Sequence, residues 1–312
     1  MRKTKIVCTL GPASNNEKTI EAMLRAGMNV VRLNFSHGTH EEHAKTIERF
    51  RKVRDELKMS AAVLLDTKGP EIRTGNFVNG KETLENGQQF VLTTEDVEGT
   101  NERCSVTYKN LPNELKPGNL VLINDGAIVI RVTGTTEKEV KGVVVHGGVI
   151  SNHKGINLPN VNLQMKYMSE QDKEDLLFGI KHDVDYVAAS FVRTAQDVKE
   201  VRELLDNNGG SEIKIIAKIE STQGIENFEE ILDVADGIMV ARGDMGVEVA
   251  YEMLPGIQKR IIRRCVQSGK IAITATQMLE SMIKNMPIRA LLGFVPNIEL
   301  EYIYNILDKI NN

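Results

Sequence analysis

A lysine and a glutamate two positions apart, near the end of an apolar run, are the first residues here whose types suggest chemistry. In Lys214-Ile-Ile-Ala-Lys-Ile-Glu220, side chains alternate across an extended strand, so Lys218 and Glu220 face the same way. A cation and an anion aimed together at a strand's carboxyl end make a candidate site; the plain alternative is a buried ion pair that satisfies itself. The next apolar run closes with Ala241-Arg-Gly-Asp244. Asp244 is expected at the end of that strand, and Gly243 lets backbone approach a ligand. Two carboxylates, Glu220 and Asp244, completed by substrate oxygens and water, are how proteins hold Mg²⁺; a solvated rim is the competing explanation.

Arg32, Asn34 and Ser36 in Val31-Arg-Leu-Asn-Phe-Ser-His-Gly38 occupy alternate positions and face one side if the chain stays extended. A guanidinium matches phosphate bidentately, and neutral Asn and Ser oxygens beside it suit a monovalent cation. Asp66 and Thr67 close another apolar run and offer further oxygens. A strand-end turn with a capping serine explains the same residues without a ligand. Lys68-Gly-Pro-Glu-Ile-Arg-Thr-Gly75 follows as a stiff turn that offers Arg73 as a second anion contact. His37 is placed to touch nucleotide phosphate or is an ordinary surface histidine. Lys154, in His153-Lys-Gly-Ile-Asn-Leu-Pro159, sits at a chain reversal or is simply solvated. Thr276, in Thr274-Ala-Thr-Gln-Met278, can order water or relay a proton, or is a strand-favouring threonine.

These residues need elements to position them. Strands are predicted at 5–9, 29–35, 61–66, 186–191, 214–220, 237–241 and 271–276. Helices are predicted at 16–26, 40–57, 169–181, 195–207, 228–233, 255–268 and 277–284. Alternation of this kind implies parallel strands joined by right-handed crossovers, and near-continuous apolar runs such as Ile238-Met239-Val240 fit strands buried on both faces. An eight-stranded barrel is the natural target, with its chemistry at the carboxyl ends of the strands. From about 70 to about 154 the texture changes to short strands, among them 90–93, 120–124, 128–133 and 140–146, separated by Gly, Pro and Asn turns, with no clear helix. It reads as an all-β insertion after the third strand.

Composition narrows the function classes. With no Trp, 4% aromatic residues and a net charge of −4, the chain has neither the stacking surface nor the positive field of a nucleic-acid binder. Its three cysteines, Cys8, Cys104 and Cys265, are too scattered for a disulfide framework or a zinc cluster. No apolar run approaches membrane-spanning length, and the start lacks the features of a signal peptide. A cytoplasmic location is the default expectation.

The motifs above, in their order, resemble pyruvate kinases of bacterial type. The likeness is carried by Arg32–Gly38, Leu65–Gly75, Lys154–Pro159, Ile216–Glu220, Met239–Glu248 and Thr274–Leu279, and it spans about Arg2 to Lys284. It implies a (β/α)8-type barrel with an all-β lid domain inserted after strand 3: residues 1–69 and 155–286 as the barrel, 70–154 as the lid. It implies phosphoryl transfer from phosphoenolpyruvate to ADP, giving pyruvate and ATP. Arg32 would hold the phosphate and Lys218 would stabilise the phosphoryl in flight. Gly243, Asp244 and Thr276 would contact substrate, with Thr276 and ordered water as the proton's route. Arg73 and Lys154, with Asn34 and His37 nearby, would contact the nucleotide. Glu220 and Asp244 would bind Mg²⁺ (or Mn²⁺), and Asn34, Ser36, Asp66 and the Thr67 carbonyl would bind K⁺. The family's usual state is a homotetramer.

After Met286 the motif-level likeness stops. Pro287-Ile-Arg-Ala290 echoes a family segment and then diverges; 287–312 is expected to be a divergent, largely helical tail, with 298–310 amphipathic. The barrel is accordingly expected to be incomplete at its eighth strand, with 291–295 a weak substitute, and the family's C-terminal α/β domain is expected to be absent. Two other readings compete. One is a truncated, catalytically inactive remnant. The other is a metal-dependent aldolase on a related barrel, in which the insertion and the Arg73 turn have no role.

Overall fold

The computed structural model describes residues 3–276. The predicted helix at 277–284, the substitute strand at 291–295 and the helical tail lie outside the described residues.

Seven strands form one parallel sheet in sequential order: β1 (Ile6–Thr9), β2 (Met28–Asn34), β3 (Ala62–Asp66), β4 (Tyr186–Ala189), β5 (Lys214–Ile219), β6 (Gly237–Ala241) and β7 (Ile271–Ala275). Each predicted barrel strand is present within one or two residues at either end. With helices between most successive strands, this is the β/α succession of a barrel, seven of whose strands fall among the described residues. Register brings the strand ends level: Thr9 lies opposite Arg32, Asn34 opposite Asp66 and Ala188 opposite Asp66.

The chain divides into two compact units. The first comprises Met1–Pro70, Lys166–Lys218 and Asn227–Met239. Four of its described helices start where the sequence supplies a side-chain cap, and Phe228–Val234 starts without one. Asn16 accepts from Thr19 N ahead of Glu17–Ala26, and Thr39 with Glu42 forms a capping box ahead of His40–Glu56. Ser169 with Asp172 and Thr194 with Asp197 do the same for Glu170–Lys181 and Ala195–Asn207. Each box satisfies two backbone donors that the helix itself leaves open. The amphipathic faces bury Ile20, Leu24, Ile47 and Phe50. Strands β3 and β4 bury nearly every residue, as expected of a sheet covered on both faces.

The second unit comprises Glu71–Met165, Ile219–Glu226 and, of the described residues, 240–276. Within 71–165 a second, mostly antiparallel seven-stranded sheet runs in the order Ile72–Arg73, Gly155–Asn157, Leu120–Ile123, Ile128–Thr135, Glu139–His146, Gln89–Thr93, Arg103–Ser105. A two-stranded ladder pairs Lys81–Leu84 with Gly148–Ser151. Alternation along Ile128–Thr135 puts Ile128, Ile130 and Val132 inside, where they join Phe90, Leu92 and Val121 in an apolar core. The expectation of no helix here needs a small correction: Leu111–Glu114 forms a single helical turn, with Pro112 in its first positions, where a missing N–H costs nothing. Two further short helices, Thr222–Glu226 and Arg242–Glu248, were not predicted, because their glycines and brevity leave no 3.6-residue pattern. Among the described residues no helix is long and apolar enough to cross a membrane.

Candidate active site

In the first unit, β2, β3, β4 and β5 end side by side and bring five polar residues together. Asp66 closes β3 with no solvent exposure. Arg32 on β2 donates through Nε to Asp66 Oδ2 at 2.5 Å and through Nη1 to Thr9 Oγ1 at 2.9 Å. Lys218 on β5, 8% exposed, donates to Asp66 Oδ1 at 3.0 Å and to Ser190 Oγ at 2.7 Å. One carboxylate thus serves two cations, which leaves the trio one positive charge in excess. Burial of these charges is tolerable because each is paired and hydrogen-bonded. Thr67 follows, its N donating to the Ala188 carbonyl at 3.0 Å.

Asn34 and Ser36 need a correction. The extended run predicted to carry Arg32, Asn34 and Ser36 on one side stops at Asn34, and Ser36 lies in a turn. The cause is local: Asn34 Oδ1 accepts from Ser36 N at 3.2 Å, the hydrogen bond by which asparagine competes with a continuing strand. His37 is in the same turn, and its carbonyl lies 2.9 Å from His43 Nε2. The His43 ring stacks on Phe35 at 4.0 Å, and Phe35 packs against Phe178 at 5.5 Å. Burial pushes the His43 imidazole below its ordinary range, partly opposed by the bond to His37; the neutral ring with hydrogen on Nε2 then donates to that carbonyl.

Gly69 shows how tightly this end is packed. Its φ is +71°, and a Cβ there would lie 2.7 Å from the Ser190 carbonyl oxygen, so no other residue fits without displacement. Gly69 N donates to Asp172 Oδ1 at 2.9 Å, which ties the turn after β3 to the start of Glu170–Lys181.

The second unit holds the other group. Strand β6 ends at Ala241, so Asp244 does not end a strand as predicted but lies in the first turn of Arg242–Glu248, where a helix N-terminus favours a carboxylate. Gly243 N donates to Thr276 Oγ1 at 3.0 Å. Arg242, 5% exposed, donates to the Thr276 carbonyl from Nε at 3.1 Å and from Nη2 at 2.7 Å, and from Nη1 to Gln258 Oε1 at 3.3 Å. Thr276 has φ +59°, a conformation a β-branched residue adopts only when its surroundings impose it. Glu220 follows β5 and is 1% exposed. Glu248 accepts from Asn157 Nδ2 at 3.3 Å, and burial pushes its carboxyl upward.

In the same unit, Arg73 ends the strand Ile72–Arg73, and Lys154 immediately precedes the strand Gly155–Asn157 that pairs with it. Arg73 Nε donates to Glu71 Oε2 at 2.7 Å and Nη1 to the His153 carbonyl at 2.8 Å. Lys154 N donates to Thr74 Oγ1 at 2.9 Å, and its carbonyl accepts from Thr74 N at 2.9 Å.

Donor chemistry fits both expected cations. Glu220 and Asp244 supply hard carboxylate oxygens, and Asn34, Ser36, Asp66 and Thr67 can offer oxygen alone. Among the described residues no group of three or more His, Cys, Asp or Glu is placed to hold a metal, so a divalent ion on two carboxylates would complete its shell with water or ligand oxygens. Ser190 and Arg242 were not singled out in the sequence. Ser190 follows β4 just as Thr67 and Glu220 follow β3 and β5; asking which polar residue succeeds each parallel strand would have found it.

The chain is 50% identical over 297 residues to the pyruvate kinase of Clostridium perfringens (strain 13 / Type A), covering 93% of this chain and 62% of that protein. It is 50% identical over 300 residues to that of Sporosarcina psychrophila, covering 95% and 51%. With that of Staphylococcus aureus (strain MRSA252) it is 52% identical over 287 residues, covering 91% and 49%. The chain therefore spans about half to three-fifths of the length of these relatives. The family model described as the pyruvate kinase barrel domain matches residues 1–301, past Met286 where the individual motifs end. A match over nearly the whole length, on a parallel β/α sheet with an inserted β domain, places this chain in the pyruvate kinase family.

Proposed function

We propose that this chain carries the catalytic part of a cytoplasmic pyruvate kinase, transferring a phosphoryl group from phosphoenolpyruvate to ADP. The parallel β/α strands are the barrel, and the inserted β sheet, which takes in Gly155–Asn157 beyond the boundary expected at 154, is the lid. The observation that carries this reading is that Arg32 and Lys218, cations from separate strands, share the buried Asp66 carboxylate. Phosphoryl transfer asks little covalent chemistry of a protein; it needs in-line positioning and positive charge around the equatorial oxygens. Arg32 binds the phosphate of phosphoenolpyruvate, and Lys218 meets the phosphoryl as the P–O bond to the enolate breaks and the bond to the ADP β-phosphate oxygen forms. Asp66 fixes both cations in advance, so little reorganisation is needed during the reaction.

Gly243, Asp244 and Thr276 contact the substrate. The enolate left behind takes a proton at carbon, through the Thr276 hydroxyl and an ordered water. Arg73, Lys154, Asn34 and His37 contact the nucleotide. Glu220 and Asp244 hold Mg²⁺ (or Mn²⁺); Asn34, Ser36, Asp66 and the Thr67 carbonyl hold K⁺. These ions, when bound, neutralise phosphate charge and template its oxygens. Support comes from family membership and from the oxygen-only donor sets.

The test is turnover coupled to lactate dehydrogenase, with ADP, Mg²⁺ and K⁺ omitted one at a time. Pyruvate formation that needs all three is expected. No turnover, together with a melting curve unmoved by Mg²⁺ and phosphoenolpyruvate, would overturn the proposal in favour of an inactive remnant.

A further inference from the structure

Ser190 is 1% exposed, and all its polar atoms are engaged. Its N donates to Thr67 Oγ1 at 3.1 Å, and its carbonyl accepts from Tyr167 OH at 2.9 Å. Phe191, next in the chain, has φ +53°, a left-handed conformation that a bulky residue keeps only where the surroundings over-determine it. With the backbone clamped, the hydroxyl is the part left to orient. It lies 2.6 Å from the Thr67 carbonyl oxygen, 3.1 Å from Asp66 Oδ1 and 2.7 Å from Lys218 Nζ. An ammonium only donates, so the hydroxyl accepts from Lys218 and directs its own hydrogen to Thr67 O, the nearer acceptor. A hydroxyl suits this place. Carbon there could neither accept from the buried ammonium nor donate to the carbonyl.

We propose that Ser190 is a positioning residue: its hydroxyl holds the Lys218 ammonium in place against the Asp66 and Thr67 oxygens. One side chain then sets both the placement of the cation that meets the phosphoryl and the geometry of two oxygens offered to a monovalent cation. That consequence rests on the phosphoryl-transfer reading; the hydrogen-bond role does not.

The two are tested separately. In protein labelled with ¹⁵N-lysine, a buried, hydrogen-bonded ammonium exchanges slowly enough to give a signal, assigned to Lys218 by its loss in Lys218→Arg. Ser190→Thr keeps the hydroxyl and is expected to keep that signal. Ser190→Val, its equal in volume, is expected to lose it, and Ser190→Ala makes the same comparison without added bulk. In turnover, Ser190→Val is expected to lower kcat about 10²-fold relative to Ser190→Thr, with KM for phosphoenolpyruvate changed much less. The melting-temperature rise on adding KCl, against tetramethylammonium chloride at equal ionic strength, is expected to shrink in the Val and Ala variants and to persist in Thr. An ammonium signal equally strong in Thr, Val and Ala variants would overturn the positioning role. A signal that follows the hydroxyl in a chain without turnover would uphold it and sink the phosphoryl-transfer reading instead.

Discussion

Arg32 and Arg73 both belong to strands, both donate through Nε to a carboxylate, and both are proposed to meet phosphate. They are held in different ways. In the first unit, Arg32 reaches Asp66, 34 positions away and wholly buried. In the second, Arg73 reaches Glu71, two positions away, and the two side chains keep 29% and 20% of their exposure. The first pair exists because two strands align; the second is a local turn pairing that solvent screens. A buried charge left alone is costly, whereas a half-exposed one simply hydrates. Under the proposed function, that difference puts the fixed part of the chemistry at the ends of the parallel strands and the adjustable part in the inserted domain.

The sharpest way to break this contrast is through the buried cation. Lys218→Met is expected to lower turnover by about 10³-fold or more in the coupled assay while leaving divalent-metal binding largely intact; unchanged turnover would remove Lys218 from the mechanism. Asp66→Asn leaves the buried Lys218 ammonium and the partly exposed Arg32 guanidinium with a neutral partner and is expected to cost about 3–5 kcal/mol in chemical denaturation. Its counterpart Glu71→Gln is expected to cost about 0–1 kcal/mol, and equal losses would abolish the distinction drawn between the two arginines. Gly69→Ala, with φ +71° and backbone in the way, is expected to lose about 1–3 kcal/mol.

The smallest effect concerns pH. Burial lowers His43 and also His182, the latter helped by Lys181 and Arg51. A histidine whose folded pKa lies below its unfolded value of about 6.5 is neutral when folded and takes up a proton on unfolding. Its contribution is complete above that value and is lost as pH falls through the folded pKa, with a slope of at most about 1.4 kcal/mol per pH unit for each ring. Melting temperature should therefore fall from pH 7 towards pH 5.5, and the slope should flatten in His43→Asn with His182→Asn; an identical slope would remove these rings as its cause. Cys104 gives a last, local check of burial: its thiol is pushed up to about 12, so iodoacetamide at pH 8 should leave it unmodified while the fold persists.

Much of the molecule was legible in its residues. The parallel strands announced themselves as continuous apolar runs, and the main helices as longer amphipathic patterns, because both signals are local. What escaped was short or long-range. Strands of two or three residues, such as Ile72–Arg73 and Gly155–Asn157, carry no measurable alternation and are defined by their neighbours. Helix Arg242–Glu248 replaced the expected strand end at Asp244. The turn at Ser36 lay within reach of sequence rules, since an asparagine two residues earlier is a known competitor for that N–H.

By itself, the sequence determined which residue types would stand at the strand ends, since alternation and apolar run length fix where a strand stops and which way its last side chains face. Only the tertiary structure decided that Arg32, Lys218 and Ser190 would converge on Asp66. Their separations from Asp66, 34, 124 and 152 positions, are closed by the register of neighbouring strands, about 4.8 Å apart, and no local pattern in the chain encodes that register.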